Sequence, residues 1–343
     1  MAGTHRVTHE YAHDNANSNI RVYIRARPCD DGSVAGDFLK IAPDEPRKIS
    51  IRDPDESRSK HGEVGYDFDR IFWTETPQEE VFEGMCKPVC DQVLQGYNSC
   101  CFAYGQTGSG KTYSMFGNDS DVRGIIPRAA EYLFASLAKK AGTHEVGVVC
   151  SFLEIYNDAI RDLGKAHLVS IGADAAAATT ATFSKTSDIF ESLAGKRGNP
   201  HFAPAFHGSP TKAAGAGAAT LSGTAASAVS VAEPGQILGY KEVQDEYHAM
   251  NYEIREDADG NVFVGNLSLV PVTTIDEVMA MIETGLKLRA THETKMNATS
   301  SRSHTVFTMS VLQRDRLTDV TVQGMLNLVD LAGRCVLAGG GQA

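Results

Sequence analysis

The sequence predicts an α/β fold: strands and helices alternate around a central sheet. Three observations predict it. Short apolar or alternating runs recur between helical stripes along most of the 343 residues. One apolar run, Ser99–Tyr104, passes directly into Gly105-Gln106-Thr107-Gly108-Ser109-Gly110-Lys111-Thr112. Another, Met325–Val329, ends on Asp330, followed by Leu331, Ala332 and Gly333. Strands alternating with helices argue for a mostly parallel or mixed sheet with helices on both faces, three layers in all.

The elements follow in order. Residues 1–18 are polar and read as a disordered tail; His5, His9 and His13 recur every four residues, but nothing apolar supports a helix there. Ile20, Val22 and Ile24 alternate with Arg21, Tyr23 and Arg25 as in a strand, which Pro28 ends. Tyr66–Trp73 is a second alternating run. Val81, Phe82, Met85, Val89 and Val93 recur at helical spacing. Ser99–Tyr104 reads as a buried strand. Pro127 suits the first turn of a helix whose inner stripe is Ile126, Ala130, Leu133 and Leu137. Val146–Tyr156 is a further buried strand, and Glu253–Val264 a hairpin turning at Asp259-Gly260. Thr274-Ile275-Asp276-Glu277 is a capping box that opens a helix through Ile275, Met279, Ile282 and Leu286. His304–Leu312 and Met325–Val329 are the last two strands.

Periodicity disappears between about 164 and 246, where Lys212–Ala232 holds nine alanines in 21 residues, interleaved with Gly, Ser and Thr. We read 164–246 as a low-complexity insertion in one domain spanning 19–335, tolerated because lengthening a loop adds little closure entropy. Residues 336–343 form a Gly-rich tail.

Composition narrows the partners. The chain carries 32 Lys and Arg against 43 Asp and Glu, a net charge of −11. That balance disfavours nucleic acid and anionic membrane surfaces. No apolar run approaches the roughly 20 residues of a membrane span. Seven cysteines, an odd number without a Cys-x-x-Cys, are expected as buried free thiols in a reducing, cytoplasmic compartment.

Gly105–Thr112 fits G-x-x-x-x-G-K-[ST] in full, after a strand and before a helix. Glycines let backbone N–H groups curl round phosphate oxygens, Lys111 reaches the outer phosphates, and Thr112 offers a hydroxyl to Mg²⁺. Such a loop belongs to the P-loop NTPase architecture. Downstream, Asn297-Ala298-Thr299-Ser300-Ser301-Arg302-Ser303-His304 concentrates hydroxyls beside an Arg and a His, as a switch loop does. Asp330 stands where an NTPase sets a carboxylate near Mg²⁺, and Gly333 offers a bare N–H to the γ-phosphate.

Together these segments resemble the motor domain of kinesins. The likeness includes Ile20–Pro28, Tyr104–Gly117, Gly124–Arg128, Glu154–Asp158, Arg289–Thr291, Lys295–Asn297 and Asp330–Gly333. The resemblance implies that Arg25, Arg27, Pro28 and Tyr113 border the adenine of ATP. It gives the phosphates to Gly105, Gln106, Thr107, Gly108, Ser109, Gly110, Lys111 and Thr112, and Mg²⁺ to Thr112 and Ser301, with Asp330 acting through water. Asn297, Ser300, Ser301 and Arg302 would form switch I; Asp330 and Gly333 would begin switch II. Ser301, Arg302 and Gly333 would serve hydrolysis. The implied partner is the microtubule, and the implied location the cytoplasmic cytoskeleton.

The sequence departs from that pattern twice. Where the family places a Glu after D-L-A-G-x, this chain has Cys335, which cannot pair with Arg302. After Cys335 the family's relay and track-binding helices do not follow, so its C-terminal elements are expected to be missing. A truncated or frame-shifted reading of a longer motor explains both; a short, non-motile ATP-binding module with impaired hydrolysis is the alternative.

Overall fold

The computed structural model describes residues 20–28, 39–42, 45–52, 63–118, 122–171, 252–256, 262–295 and 302–333. The 1–18 tail, the Ala-rich 212–232 stretch, Asn297, Ser300, Ser301, Cys29, Cys335 and the 336–343 tail lie outside them. In chain order the elements are β1 (Tyr23–Arg25), β2 (Leu39–Ala42), β3 (Glu45–Arg52), β4 (Glu63–Asp67), β5 (Arg70–Phe72), α1 (Gln78–Val81), a π-helical turn (Phe82–Cys86), α2 (Lys87–Leu94), β6 (Ser99–Ala103), α3 (Lys111–Met115), α4 (Ile125–Lys140), β7 (His144–Tyr156), β8 (Ala159–Asp162), α5 (Leu163–Ser170), β9 (Ile254–Glu256), β10 (Val262–Val264), β11 (Val270–Val272), α6 (Ile275–Lys295), β12 (Ser303–Asp315) and β13 (Thr321–Asp330).

The central sheet runs β11-β7-β12-β13-β6, with β8 on β7. It is mixed. The alternation of elements predicts a mostly parallel or mixed sheet, and the mixed form is what is found: among the described residues β11–β7, β7–β12 and β12–β13 are antiparallel and β13–β6 is parallel. The reason is local: β12 turns straight into β13. Asp315 Oδ1 accepts the backbone N–H groups of Leu317 (2.8 Å) and Thr318 (2.9 Å), and Asp319 takes a left-handed φ of 57°. An Asp side chain that caps its own turn closes such a hairpin without a crossover.

β7 is buried at every residue from Val146 to Glu154, as its continuous apolar run requires. β12 and β13 alternate instead, burying Phe307, Met309, Val311, Leu326 and Leu328 on one face. Phe307 meets Phe152 across the pair, ring centroids 5.3 Å apart, and Phe152 meets Phe116 at 5.9 Å. Helices close over this face. Gly285 of α6 rests on the Phe152 ring, and Gly324 of β13 abuts the Val93 carbonyl of α2; a Cβ at either would overlap its neighbour. The α4 stripe Ile126, Ala130, Leu133 and Leu137 is at most 1% exposed. Each large apolar side chain buried so contributes about 1.5–3 kcal/mol.

Four expectations change. Ser99–Tyr104 is not buried on both faces: β6 pairs with β13 alone among the described residues, and Phe102 is 58% exposed. Cys100 beside it is exposed too, so not every cysteine is a buried thiol, although Cys86, Cys90, Cys101 and Cys150 are. Tyr66–Trp73 is two strands rather than one, β4 joining β3 and β5 running parallel to β1. The chain corners at Asp69, whose N–H bonds to Val22 O (2.9 Å) and whose Oδ2 accepts from Val22 N (2.7 Å). Finally, α5 occupies 163–170, where no periodicity predicts a helix. Leu163 through Leu168 are all buried, so no polar face marks it in sequence. The Asp162 carboxylate caps it, accepting from Lys165 N at 2.9 Å.

The capping box is present in modified form. Thr274 Oγ1 accepts from Glu277 N (3.2 Å), but Glu277 Oε2 reaches back to Thr273 N (2.6 Å), one residue earlier than expected. β9 and β10 form the predicted hairpin, with Asp259-Gly260 outside the described residues.

Candidate functional site

The glycine-rich loop sits between β6 and α3, at the C-terminal end of the parallel β6–β13 pair. Gly105, Gly108 and Gly110 have φ of 159°, 78° and 92°. The last two lie in the left-handed region, so side chains there would be strained. Lys111 folds back over the loop, its ammonium donating to Gln106 O (2.9 Å) and Gly105 O (3.2 Å). Arg27 fastens the outer rim by donating to Gly108 O. Gln106, Thr107 and Gly108 are exposed, so the concave loop opens to solvent.

Strand β13 delivers the second half. Thr112 Oγ1 donates to Asp330 Oδ2 at 2.7 Å, across 218 residues of sequence. Beyond Asp330, Leu331 N bonds to Ala103 O (3.3 Å) and Ala332 N to His304 Nδ1 (3.0 Å). A Cβ on Gly333 would stand 2.7 Å from Thr107 N and 2.8 Å from Thr107 Cα. The backbone after β13 therefore lies directly on the phosphate loop.

Beneath them is a charge cluster that the sequence reading did not assign. Arg289 of α6, 4% exposed at its side chain, donates to Asp330 Oδ2 at 3.0 Å and lies 3.7 Å from Glu154 Oε1. Glu154 Oε2 takes a second cation, Arg161, at 3.2 Å. The signal was available: Arg289 falls eleven positions after Val278 and seven after Ile282, on the apolar stripe of α6, and Glu154 interrupts an apolar strand.

At the other end Arg25 lies 5.2 Å over the Tyr113 ring and donates to Ser114 Oγ (2.9 Å) and Gln78 Oε1 (2.8 Å). Burial pulls the Arg25 pKa below its usual value. Pro28 is exposed at the rim. Of the expected switch I residues only Arg302 is described, exposed just before β12; Asn297, Ser300 and Ser301 lie outside the described residues.

Oxygen chemistry suits a magnesium ion here. Asp330 Oδ1 is buried without a hydrogen-bond partner among the described residues, and its other oxygen holds the Thr112 hydroxyl. A carboxylate and a hydroxyl beside an open phosphate loop are the hard donors Mg²⁺ takes, with water and phosphate completing its shell.

A family model described as the kinesin motor domain matches residues 25–187 and 240–338. The chain belongs to the kinesin motor-domain family. The match passes over 188–239 and includes Cys335. The kinesin-like protein KIN-14N of Oryza sativa subsp. japonica is 32% identical over 321 residues, covering 92% of this chain and 31% of the relative. KIN-14C of Arabidopsis thaliana is 32% identical over 322 residues, with 92% and 32% covered. This kinesin-family chain thus spans about a third of the curated relatives it matches. A solved structure of a fast kinesin superposes with a TM-score of 0.62 at 26% identity, covering 94% of this chain and 68% of that one. The C-terminal motor domain of Kar3 from Candida glabrata does so at 0.58 and 25%, covering 92% and 74%. The kinesin fold, an NTPase-like mixed sheet with packed helices, is therefore shared.

Proposed function

We propose that this chain binds Mg·ATP at Gly105–Thr112 and hydrolyses it as the force-generating unit of a microtubule-based motor, working on the cytoplasmic cytoskeleton. One observation carries the reading: the 2.7 Å bond from Thr112 to Asp330, which ties the phosphate loop to the strand end that would report on the γ-phosphate.

In this reading Gly105, Gln106, Thr107, Gly108, Ser109 and Gly110 wrap the phosphates with backbone N–H groups. Lys111 leaves its loop carbonyls to meet the outer phosphates as a point charge. Thr112 and Ser301 would hold Mg²⁺, with Asp330 acting through water, and the ion would supply positive charge against the phosphate oxygens. Asn297, Ser300 and Arg302 order the attacking water, and Gly333 presents its N–H to the γ-phosphate. Arg25, Arg27, Pro28 and Tyr113 border the base. Family membership and the organisation of the fast kinesin support microtubules as the partner.

The test combines nucleotide binding and turnover. Mg·ATP should raise the melting temperature of the chain, since a ligand that binds only the folded state stabilises it. Lys111→Ala should abolish that rise, and microtubules should accelerate ATP turnover by the unsubstituted protein. A melting temperature blind to Mg·ATP would overturn the reading.

A second reading is favoured by Cys335, which lies inside the matched range. A thiol cannot supply the carboxylate partner that the family resemblance gives Arg302. Loss of one water-ordering group lowers rates by about 10²–10³. Here the chain binds Mg·ATP but hydrolyses it slowly. Cys335→Glu should then raise the single-turnover rate at least tenfold on this scale; an unchanged rate refutes it.

A further inference from the structure

Gln78 is the first residue of α1 and is only 4% exposed. A buried primary amide is unfavourable unless its polar atoms are matched. Here both ends are used, one on Arg25 of β1 and one on Tyr113 of α3. Oε1 accepts from the Arg25 guanidinium at 2.8 Å, and Nε2 donates to the Tyr113 carbonyl at 2.7 Å. The orientation is fixed by its partners. Reversed, the amide would set donor against donor at Arg25 and acceptor against acceptor at Tyr113.

One flat group therefore joins three elements: β1 through Arg25, α1 through itself, and α3 through Tyr113. Arg25 Nη1 is doubly engaged, by Gln78 and by Ser114 Oγ at 2.9 Å, which leaves the guanidinium plane no freedom to swing. Its position over the Tyr113 ring, 5.2 Å from the centroid, follows from those anchors. Tyr113 remains 42% exposed. A guanidinium and a partly exposed phenol ring held together form a platform on which a planar heterocycle can stack. Tyr113 lies one residue past Thr112, so the platform stands beside the phosphate loop.

We propose that Gln78 is the positioning residue for the base of the bound nucleoside triphosphate: it sets the Arg25–Tyr113 platform without touching the nucleotide. This rests on the Mg·ATP reading above. The position demands an amide. A carboxylate would keep Arg25 but oppose the Tyr113 carbonyl; an apolar side chain would release both.

The experiment compares two probes on the full 343-residue chain. Mg·ATP carries a base; magnesium tripolyphosphate carries the phosphates alone. Gln78→Leu should weaken Mg·ATP about tenfold, the equivalent of losing the two hydrogen bonds that hold the platform. Tripolyphosphate affinity should stay within about twofold, because the loop from Gly105 to Thr112 does not depend on the platform. Gln78→Glu, which retains the Arg25 contact, should weaken Mg·ATP by about threefold with the same selectivity, and serves if the leucine variant fails to fold. Equal weakening of both probes would make Gln78 a structural strut of the loop and overturn the proposal. So would unchanged Mg·ATP affinity in both variants. If the unsubstituted chain bound neither probe, the nucleotide reading itself would fall; if it bound tripolyphosphate as well as Mg·ATP, the platform alone would.

Discussion

Replacing Arg289 by methionine tests whether the cluster beneath the site is structural. The guanidinium holds Asp330 at 3.0 Å and Glu154 at 3.7 Å, and the carboxylates are at most 1% exposed. At an effective dielectric of about 20 those separations correspond to roughly 5.5 and 4.5 kcal/mol of attraction. Much of that is offset by taking the ions out of water. Removing one partner, however, leaves the others buried and uncompensated, and such losses run to about 3–5 kcal/mol. Arg161 still neutralises Glu154 at 3.2 Å, so Asp330 bears most of the loss. Arg289→Met is therefore expected to lower stability by about 3 kcal/mol, at the low end of that range. Arg289→Lys keeps one charge but cannot span two carboxylates, and should lose about half as much. The assay is urea unfolding at neutral pH without nucleotide, accepting only variants whose m-value is unchanged. A double-mutant cycle with Asp330→Asn should recover stability relative to Arg289→Met alone. A loss under about 1 kcal/mol for Arg289→Met would refute the reasoning, because it would mean that the carboxylates are solvated in the folded protein.

Two other outcomes are expected. Burial pushes the Asp162 pKa up to about 6, against the opposing pull of the N–H groups of Lys165 and Ser268. The folded state then holds a proton that the unfolded chain releases near pH 4. Stability should fall by up to about 3 kcal/mol as pH rises from roughly 4 through 6, then level off. Melting temperatures across that window check it, and Asp162→Asn should flatten the slope. Gly324→Ala would drive a methyl group into the Val93 backbone, which cannot swing aside. A destabilisation of about 1–3 kcal/mol in chemical unfolding is expected, with secondary structure by circular dichroism otherwise retained.

Much of this architecture is legible in the sequence. The phosphate loop is written contiguously, so Gly105–Thr112 needs no tertiary information to find. β7 announces itself by a continuous apolar run, β12 by alternation and α4 by helical spacing, as Phe152, Phe307 and Leu133 illustrate. Strand direction is different, because pairing depends on the turn: only the side chain of Asp315 closing on Leu317 and Thr318 explains why β12 and β13 are antiparallel. α5 escapes notice because it is buried on every side and periodicity has no contrast there. Within the site, residues that act in sequence blocks are readable, while those that act across the fold are not. Gln78 looks like any surface glutamine before a helix, and its meaning comes from Arg25 and Tyr113, 53 and 35 positions away. Arg289 and Glu154 are visible as misfits on apolar stripes, but the partner that reconciles them, Asp330, is far along the chain.

The absence of a side chain at position 333 has a mechanical consequence. Backbone at 333 and backbone at 107 share a wall so thin that one methyl group would not fit between them. With the two chain segments this close, any group inserted between them at the mouth of the loop would have to displace one or the other. The end of β13 is pinned on the other side by Asp330, held at once by Thr112 and Arg289. A displacement at 333 would therefore meet a strand end already fixed by two side chains.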